Sequence, residues 1–162
     1  MCTAPLFRRA LGAVVLGVLV ATAAACSSGA VGGGHLTSVF GVKPGECFLP
    51  PSKIQAELTK LNQVACTRAH TQEAYAVVGY HPAGGVTSTD FPGDDALKQF
   101  ADGTCAQRFA GYVGRDYQDS SLFFTYLLPS ARGWQQGHDR KVVCFVTTTG
   151  KLLRKSVKGA NI

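Results

Sequence analysis

The sequence lacks several motifs that mark catalysis, and each absence excludes a class of function. It contains no Gly-x-Ser-x-Gly and no assignable catalytic triad, which argues against the common serine hydrolases. It contains no Cys-x-x-Cys, so neither a zinc ribbon nor a thioredoxin-like redox centre is expected. Its two glycine clusters, 32–34 and 84–85, are not followed by a helix-opening phosphate motif. These absences predict a protein that is not an enzyme and that carries no cofactor.

A strong excess of charge of one sign is also missing. The chain has 16 basic and 10 acidic residues, and removing the two leader bases Arg8 and Arg9 leaves 14 against 10. No run of five or more bases occurs, so no nucleic-acid partner is expected. We interpret the mild excess as serving solubility, with weak attraction to anionic lipid head groups or wall polymers as the alternative.

Residues 1–25 have the three-part form of an export signal peptide. Arg8 and Arg9 provide the positive end, an uncharged and mostly apolar run follows from Ala10, and small residues close it at positions 23–25. That run is marginal for spanning a bilayer, which requires about 20 apolar residues. The segment therefore predicts export, with retention as an uncleaved anchor as one alternative.

The leader ends in Ala23-Ala24-Ala25-Cys26, which resembles a bacterial lipobox. Such a box predicts diacylglyceryl transfer to the Cys26 thiol and cleavage before it, although Ala23-x-Ala25 also suits an ordinary signal peptidase. We favour lipidation at Cys26, because residues 26–38 begin with a Ser- and Gly-rich stretch suited to a flexible tether. The predicted location is the extracytoplasmic face of the cell membrane, with the lipid as anchor.

Four cysteines remain beyond Cys26, and an even number in an exported domain indicates two disulfides. Four cysteines allow three pairings, and spacing alone does not choose among them. We favour Cys47–Cys66, which joins the opening strand to the next one along the chain, and Cys105–Cys144, which ties a helix to a late strand.

Apolar periodicity predicts one clear helix among several strands. The helix opens at Asp94-Asp95 and is followed by Gly111 and Gly114. Its apolar stripe comprises Leu97, Phe100, Ala101, Cys105, Phe109 and Tyr112. A shorter helix is predicted from Ser52 through Ile54, Leu58 and Leu61. Residues 35–49 are predicted to be extended, and Cys47 lies in this opening strand. Further strands are predicted at 64–67, 73–80, 122–128, 140–149 and 152–157, with 122–128 central in the sheet because it is apolar on both faces. This order favours an α+β domain over residues 39–159, with a mostly antiparallel sheet and the main helix on one face.

The order of several residues resembles the actinobacterial exported domain family labelled "septum formation". The residues that carry this resemblance are Gly45, Cys47, Cys66, His70, Glu73, Tyr75, Pro92, Gly93, Cys105, Phe109, Tyr112, Gly114, Pro129, Ser130, Trp134, Gly137, Arg140 and Cys144. The resemblance covers about residues 40–159. It implies an exported, membrane-associated domain with a link to cell division, and it supplies neither catalytic residues nor a cofactor.

Four residues are candidates for binding: His70, Glu73, Trp134 and Arg140. His70 and Glu73, extended by His138, have the chemistry of a small metal or acid–base site, but a metal needs further ligands and none is assignable. The alternative for His70 is a hydrogen bond from its ring to the backbone of the Cys66 turn. We therefore expect no metal site.

Trp134 lies among glycines and glutamines, which suggests partial exposure and stacking on a sugar or a peptide, with packing at the edge of the core as the alternative. Arg140 is expected to pair with an acid near the end of its strand. We predict that the protein is an exported, membrane-anchored lipoprotein with a non-catalytic domain that binds an envelope protein or a wall component. A link to septum formation is expected from the resemblance. The alternative is a small envelope hydrolase or metal-binding protein that uses His70, Glu73 and His138.

Overall fold

The computed structural model describes residues 34–51, 53, 57–82, 84–85 and 89–162. In this part of the chain six strands form one sheet in the order β1-β3-β2-β4-β6-β5, with every neighbouring pair antiparallel. The strands are β1 (His35–Ser38), β2 (Cys47–Leu49), β3 (Lys60–Val64), β4 (Gln72–Gly79), β5 (Phe123–Leu127) and β6 (Lys141–Thr147), and the helices are α1 (Asp94–Val113) and α2 (Ala131–Gln136). The predicted α+β class, with one main helix and a mostly antiparallel sheet, is confirmed.

Helix α1 covers one face of the sheet, as its apolar stripe predicts. Leu97, Ala101, Cys105, Phe109 and Val113 recur every four residues and are fully buried. Gly114 ends the helix in a left-handed conformation (φ 89°), and its N–H bonds to the carbonyl of Ala110. Such a conformation favours glycine, which lacks the Cβ that would clash with the backbone.

Strand β4 does not alternate as the sequence predicts. Simple alternation places Tyr75 and Val77 on one face and Ala74, Ala76 and Val78 on the other. Instead, Tyr75 and Ala76 both lie in the cluster under α1, whereas Ala74 and Val77 pack on the opposite face. The reason is a β-bulge between Ala74 and Ala76, which leaves one extra residue in β4 and reverses the faces beyond it.

Both disulfides pair as predicted. Cys47 in β2 bonds to Cys66 in the turn between β3 and β4. Cys105 bonds to Cys144, which fastens the middle of α1 to β6. Their sequence separations are 19 and 39 residues. In the chain-entropy account loops of these sizes contribute about 3 and about 4 kcal/mol to the free energy of unfolding.

Three strand predictions are wrong. The predicted strand at 64–67 contains only the last residue of β3, and the chain turns at Cys66 and Thr67. The segment 122–128 forms β5 at the edge of the sheet rather than at its centre, and Phe123 is half exposed there. The predicted strand at 152–157 is replaced by a single bridge between Leu153 and His70. The apolar residues of the latter two segments pack under α1 from an edge and from a loop.

The start of the domain agrees with expectation in part. β1 lies within residues 35–49, which the sequence predicts to be extended, whereas Leu61 lies in β3 rather than in a short helix. The signal peptide, Cys26, and the helix positions Ser52 and Ile54 fall outside the described residues. Neither α1 nor α2, the helices of the described ranges, is long and apolar enough to cross a membrane.

Candidate functional site

His70 closes the turn between β3 and β4. Its backbone N–H and C=O exchange two hydrogen bonds of 2.9 Å with Leu153. Its side chain is fully buried, and ring atom Nδ1 lies 2.7 Å from the carbonyl oxygen of Arg68. The ring therefore bonds to the backbone of this turn.

This bond sets the tautomer of the imidazole. A carbonyl oxygen only accepts, so Nδ1 carries a hydrogen, and in the neutral ring the lone pair is on Nε2. His70 Nε2 has no hydrogen-bond partner among the described residues. The nitrogen is enclosed, since His70 is fully buried.

Glu73 is the second buried polar side chain of the domain. Its Oε1 accepts hydrogen bonds from the hydroxyls of Tyr112 (2.5 Å) and Ser156 (2.6 Å), and its Oε2 accepts one from the N–H of Val157 (2.9 Å). These donors come from the end of α1 and from the C-terminal segment. Glu73 thus fastens both to β4, and its two oxygens are occupied by internal donors.

The Cys47–Cys66 disulfide lies beside this carboxylate. One oxygen of Glu73 and the two sulfur atoms are all within 4.8 Å of one another. This set could hold a metal ion only with the cysteines as thiolates, and here the sulfur atoms are joined to each other. No His lies in this set, so in the described residues His70, Glu73 and His138 do not assemble a common ligand set.

Two tyrosines near Glu73, the buried Tyr75 and the partly buried Tyr112, stay neutral well into alkali. Desolvation by burial, followed by the hydrogen bond to Glu73 and its negative charge, raises the pKa of Tyr112 far above its usual value of 10. Burial alone raises the pKa of Tyr75 in the same direction, and its hydroxyl donates to the carbonyl of Cys105 at 2.8 Å. Both hydroxyls therefore act as hydrogen-bond donors at neutral pH.

Trp134 and Arg140 lie at the opposite end of the sheet, beyond the last residues of β4. Ser130 caps α2 by accepting from the N–H of Gly133 (2.9 Å), and this short helix turns Trp134 inward. Trp134 is only 2% exposed, so the predicted partial exposure is wrong. Gly133 leaves space for the cap of α2, since a Cβ at this position would lie 3.2 Å from Ser130 Oγ.

Arg140 stacks on Trp134 rather than extending into solvent. Its Cζ lies 3.7 Å from the centroid of the indole, and Nη1 donates to the carbonyls of Trp134 (2.7 Å) and Asp139 (3.0 Å). On the other side the indole N–H donates to the carbonyl of Thr89 (2.9 Å). The pair is thereby held rigidly at the base of a cleft.

The cleft has a volume of about 370 Å³ and is lined mainly by aromatic and proline side chains. Its lining residues are Gly79, Tyr80, His81, Pro82, Asp90, Phe91, Pro92, Trp134 and Arg140. Tyr80 and Phe91 each pack edge-on against Trp134, with ring centroids 5.7 and 5.9 Å away. A concave, largely apolar surface with a few polar groups is the usual form of a binding site.

The four predicted binding residues therefore belong to two different places. His70 and Glu73 lie near the start of β4, whereas Trp134 and Arg140 lie beyond its end. His138, in the loop between α2 and β6, is exposed and lies at the second end. Since β6 is seven residues long, about 20 Å separates His138 from the His70 end.

Sequence reasoning missed the residues that complete each place. Tyr80, His81 and Phe91 flank a loop rich in Gly, Pro, Ser and Thr, and aromatic residues on both sides of such a loop were the available signal. Ser156 carried no signal, because its partnership with Glu73 spans 83 residues of chain.

Comparison with known proteins gives one match. The septum formation family is matched over residues 44–159, which span β2 to the segment that bonds to Glu73 and Tyr112. Neither a curated protein nor a solved structure matches the chain. The matched region covers most of the chain, both disulfides, Glu73 and the cleft. The chain therefore belongs to the septum formation family.

Proposed function

We propose that this protein is an exported lipoprotein, anchored through Cys26, whose domain binds an apolar segment of another envelope protein at the cleft and takes part in septum formation without performing catalysis. The partner is held by aromatic contact and by shape. Membership of the septum formation family supports the link to division. The form of the first 26 residues supports the compartment and the anchor.

The observation that carries this proposal is that one group of candidate residues is buried, whereas the other lies at an open cleft. The ring of His70 and the carboxylate of Glu73 are fully buried, and their hydrogen bonds hold the turn, α1 and the C-terminal segment together. Tyr80, Phe91 and Pro92 are partly exposed around an open cleft. The chemistry of the first group serves the fold, and the surface of the second is available to a partner.

The composition of the cleft favours an apolar peptide over a sugar. Sugars are usually held by several polar groups that match their hydroxyls, whereas this lining is dominated by three aromatic rings and two prolines. Trp134 is too deeply buried to present its face to a ring of a saccharide. The edges of Tyr80 and Phe91 instead offer a pocket for an aliphatic or aromatic side chain.

Photocrosslinking of the full chain in living cells tests the binding. A photoreactive amino acid is introduced at His81, which lines the cleft and is exposed, and at Gln107 as a control, which is exposed on α1 away from the cleft. We expect position 81 to yield one crosslinked envelope protein and position 107 to yield none. Phe91→Ala should reduce the yield from position 81 by about tenfold, since burying one aromatic side chain contributes about 1.5–3 kcal/mol.

Two results would contradict the proposal. Equal crosslinking from positions 81 and 107 would show that the cleft is not the contact surface. Crosslinking of position 81 to wall glycan would show that the partner belongs to a different chemical class.

The anchor is tested separately by Cys26→Ser. We expect the wild-type protein to carry a diacylglyceryl mass at Cys26 and to sediment with membranes, and the variant to lose that mass. An unmodified Cys26 in the wild-type protein would refute the lipid anchor while leaving the crosslinking result interpretable.

A further inference from the structure

A group of five exposed bases covers the end of the domain opposite the cleft. We call this group the basic face, and its members are Arg68, Lys151, Arg154, Lys155 and Lys158. None of the five forms an ion pair with a carboxylate in the described part of the chain. The two segments that carry them, 65–71 and 148–162, contain no Asp or Glu.

The structure brings these bases together from distant parts of the sequence. The bridge between His70 and Leu153 sets the turn that carries Arg68 beside the segment that carries Lys151, Arg154 and Lys155. The bond from Val157 to Glu73 fixes the next part of that segment. The basic face is therefore built on buried anchors, although its charges are scattered along the chain.

Acidic residues lie mostly elsewhere. Asp94 and Asp95 are exposed at the start of α1, a helix of 20 residues and about 30 Å in length. The C-terminal end of this helix is bonded to the basic segment, because the carbonyl of Tyr112 accepts from the N–H of Gly159. The basic face therefore lies near the C-terminal end of α1, where Asp116 and Asp119, which follow the helix, are also exposed.

The chain enters the domain at the same end of the sheet. His35 pairs with Gln63, and one row of residues continues from this pair through Phe48 and Gln72 to Thr147. The basic segments lie just before Gln72 and just after Thr147. Neighbouring strands lie about 4.8 Å apart, so across this row β1 is about 14 Å from β4, which follows one basic segment, and about 19 Å from β6, which precedes the other.

This arrangement limits where an anchored domain can place its surfaces. Eight residue steps separate Cys26 from Gly34, and an extended chain spans at most about 3.6 Å per residue, or about 29 Å in all. An anchor at Cys26 therefore keeps the entry end of the sheet close to the bilayer. Leu152, which is 50% exposed between the bases, offers an apolar side chain to the interfacial region.

We propose that the basic face binds the head groups of anionic phospholipids, with Leu152 entering the interface, so that the domain rests on the membrane with its cleft directed away from it. The proposal rests on the anchoring part of the proposed function. Lys and Arg near an anionic surface each strengthen attachment by about fivefold, so the five bases together favour this orientation over others that the tether permits. The cleft at the far end is then presented to partners in the envelope.

The test uses the full chain in vesicles with a photoreactive amino acid at position 152. Vesicles contain either phosphatidylcholine alone or phosphatidylcholine with 30% phosphatidylglycerol. We expect crosslinking to lipid at position 152 to rise at least fivefold in the anionic vesicles, and to fall again at about 0.5 M salt, where charges are screened beyond about 4 Å. A probe at Gln107 should not respond to the lipid composition.

Matched charge variants separate the basic face from net charge. The variant K151Q/R154Q/K155Q/K158Q should lose the fivefold rise, whereas K98Q/R108Q/R132Q/K141Q, with the same loss of charge at other surfaces, should keep it. Equal loss in both variants, or equal yields in the two vesicle types, would overturn the proposal. Crosslinking only to added poly(glycerol phosphate), and not to lipid, would overturn it in favour of a wall polymer.

The readout is contact at position 152, not recovery of protein with the membrane. It therefore reports the orientation of the domain whether Cys26 is acylated or an uncleaved leader holds the chain. The mass of Cys26 tests the anchor independently, so failure of the orientation and failure of the anchor are distinguished.

Discussion

Replacing Glu73 with Gln should destabilise the domain by about 2–3 kcal/mol. The carboxylate accepts three hydrogen bonds in a fully buried position. With a neutral acceptor the two hydroxyl bonds weaken by about 1 kcal/mol each, and the N–H of Val157 faces an amide N–H at a cost of about 1–2 kcal/mol. Relief of the desolvation cost of a buried charge offsets part of this loss.

Urea unfolding measures the effect, followed both by circular dichroism and by the fluorescence of Trp134, the one tryptophan of the chain. Because Trp134 lies at the other end of the sheet, coincident transitions show that the loss is global. Glu46→Gln is the matched control, since Glu46 is only partly buried and accepts a single bond, from the N–H of Lys43. A loss for Glu73→Gln no larger than that of the control would refute the reasoning.

Two further predictions concern alkali and the end of α1. The pKa values of Tyr75 and Tyr112 are raised by burial, so above pH 10 the unfolded chain loses protons that the folded chain keeps. Burial also raises the pKa of Tyr126. The free energy of unfolding should therefore fall as the pH rises above 10, and Tyr112→Phe should reduce that slope by up to about 1.4 kcal/mol per pH unit in pH-dependent urea unfolding. Gly111→Ala should stabilise the domain by about 0.5–1 kcal/mol, because Gly111 is exposed within α1 and nothing lies within 4 Å of the new Cβ. Gly114→Ala should destabilise the domain by about 1–2 kcal/mol, because the φ of Gly114 is 89° and the new Cβ would meet Asn161 at 2.4 Å. Equal shifts in the melting temperature for the two variants would contradict this account.

Local patterns were sufficient to predict α1 and the class of the fold. The recurrence of Leu97, Ala101, Cys105 and Phe109 along one face is a property of a single helix, and burial of that face follows directly. The same face carries Cys105, which was therefore expected to face the core, and its bond to Cys144 agrees with the pairing that we favoured among the three possible ones. Such predictions succeed because the evidence lies within about 20 residues of chain.

Positions decided by distant partners could not be predicted. The bulge beside Tyr75 depends on how β4 pairs with β6, and the period-two pattern contains no sign of it. β5 is apolar like a central strand, but its inner face packs on α1 and its outer edge is unpaired within the described part of the sheet. Leu153 and Val157 are buried with three exposed residues between them, and their backbones bond to His70 and Glu73, so the apolar residues of this segment are fixed by single distant contacts and not by a strand.

The candidate site, too, was predicted only in part from the sequence. The importance of His70 and Glu73 was visible from their position between a cysteine and a strand, but the sequence did not indicate that both serve the interior. Polar surroundings suggested exposure for Trp134, whereas α2 rotates the indole inward and leaves its neighbours outside. Exposure is set by the packing of the whole helix and not by the residues adjacent to it in sequence.

The attachment of Ser156 and Val157 to Glu73 has a consequence for biogenesis. Synthesis proceeds from the N-terminus, so β4 leaves the ribosome well before these two donors do. Until they arrive, the carboxylate of Glu73, which is directed at the interior, has only the hydroxyl of Tyr112 among its three internal donors, and this opposes premature closure of α1 over the sheet. The domain is thereby expected to fold in a single late step after release, and a chain that ends before Ser156 should be degraded by proteases.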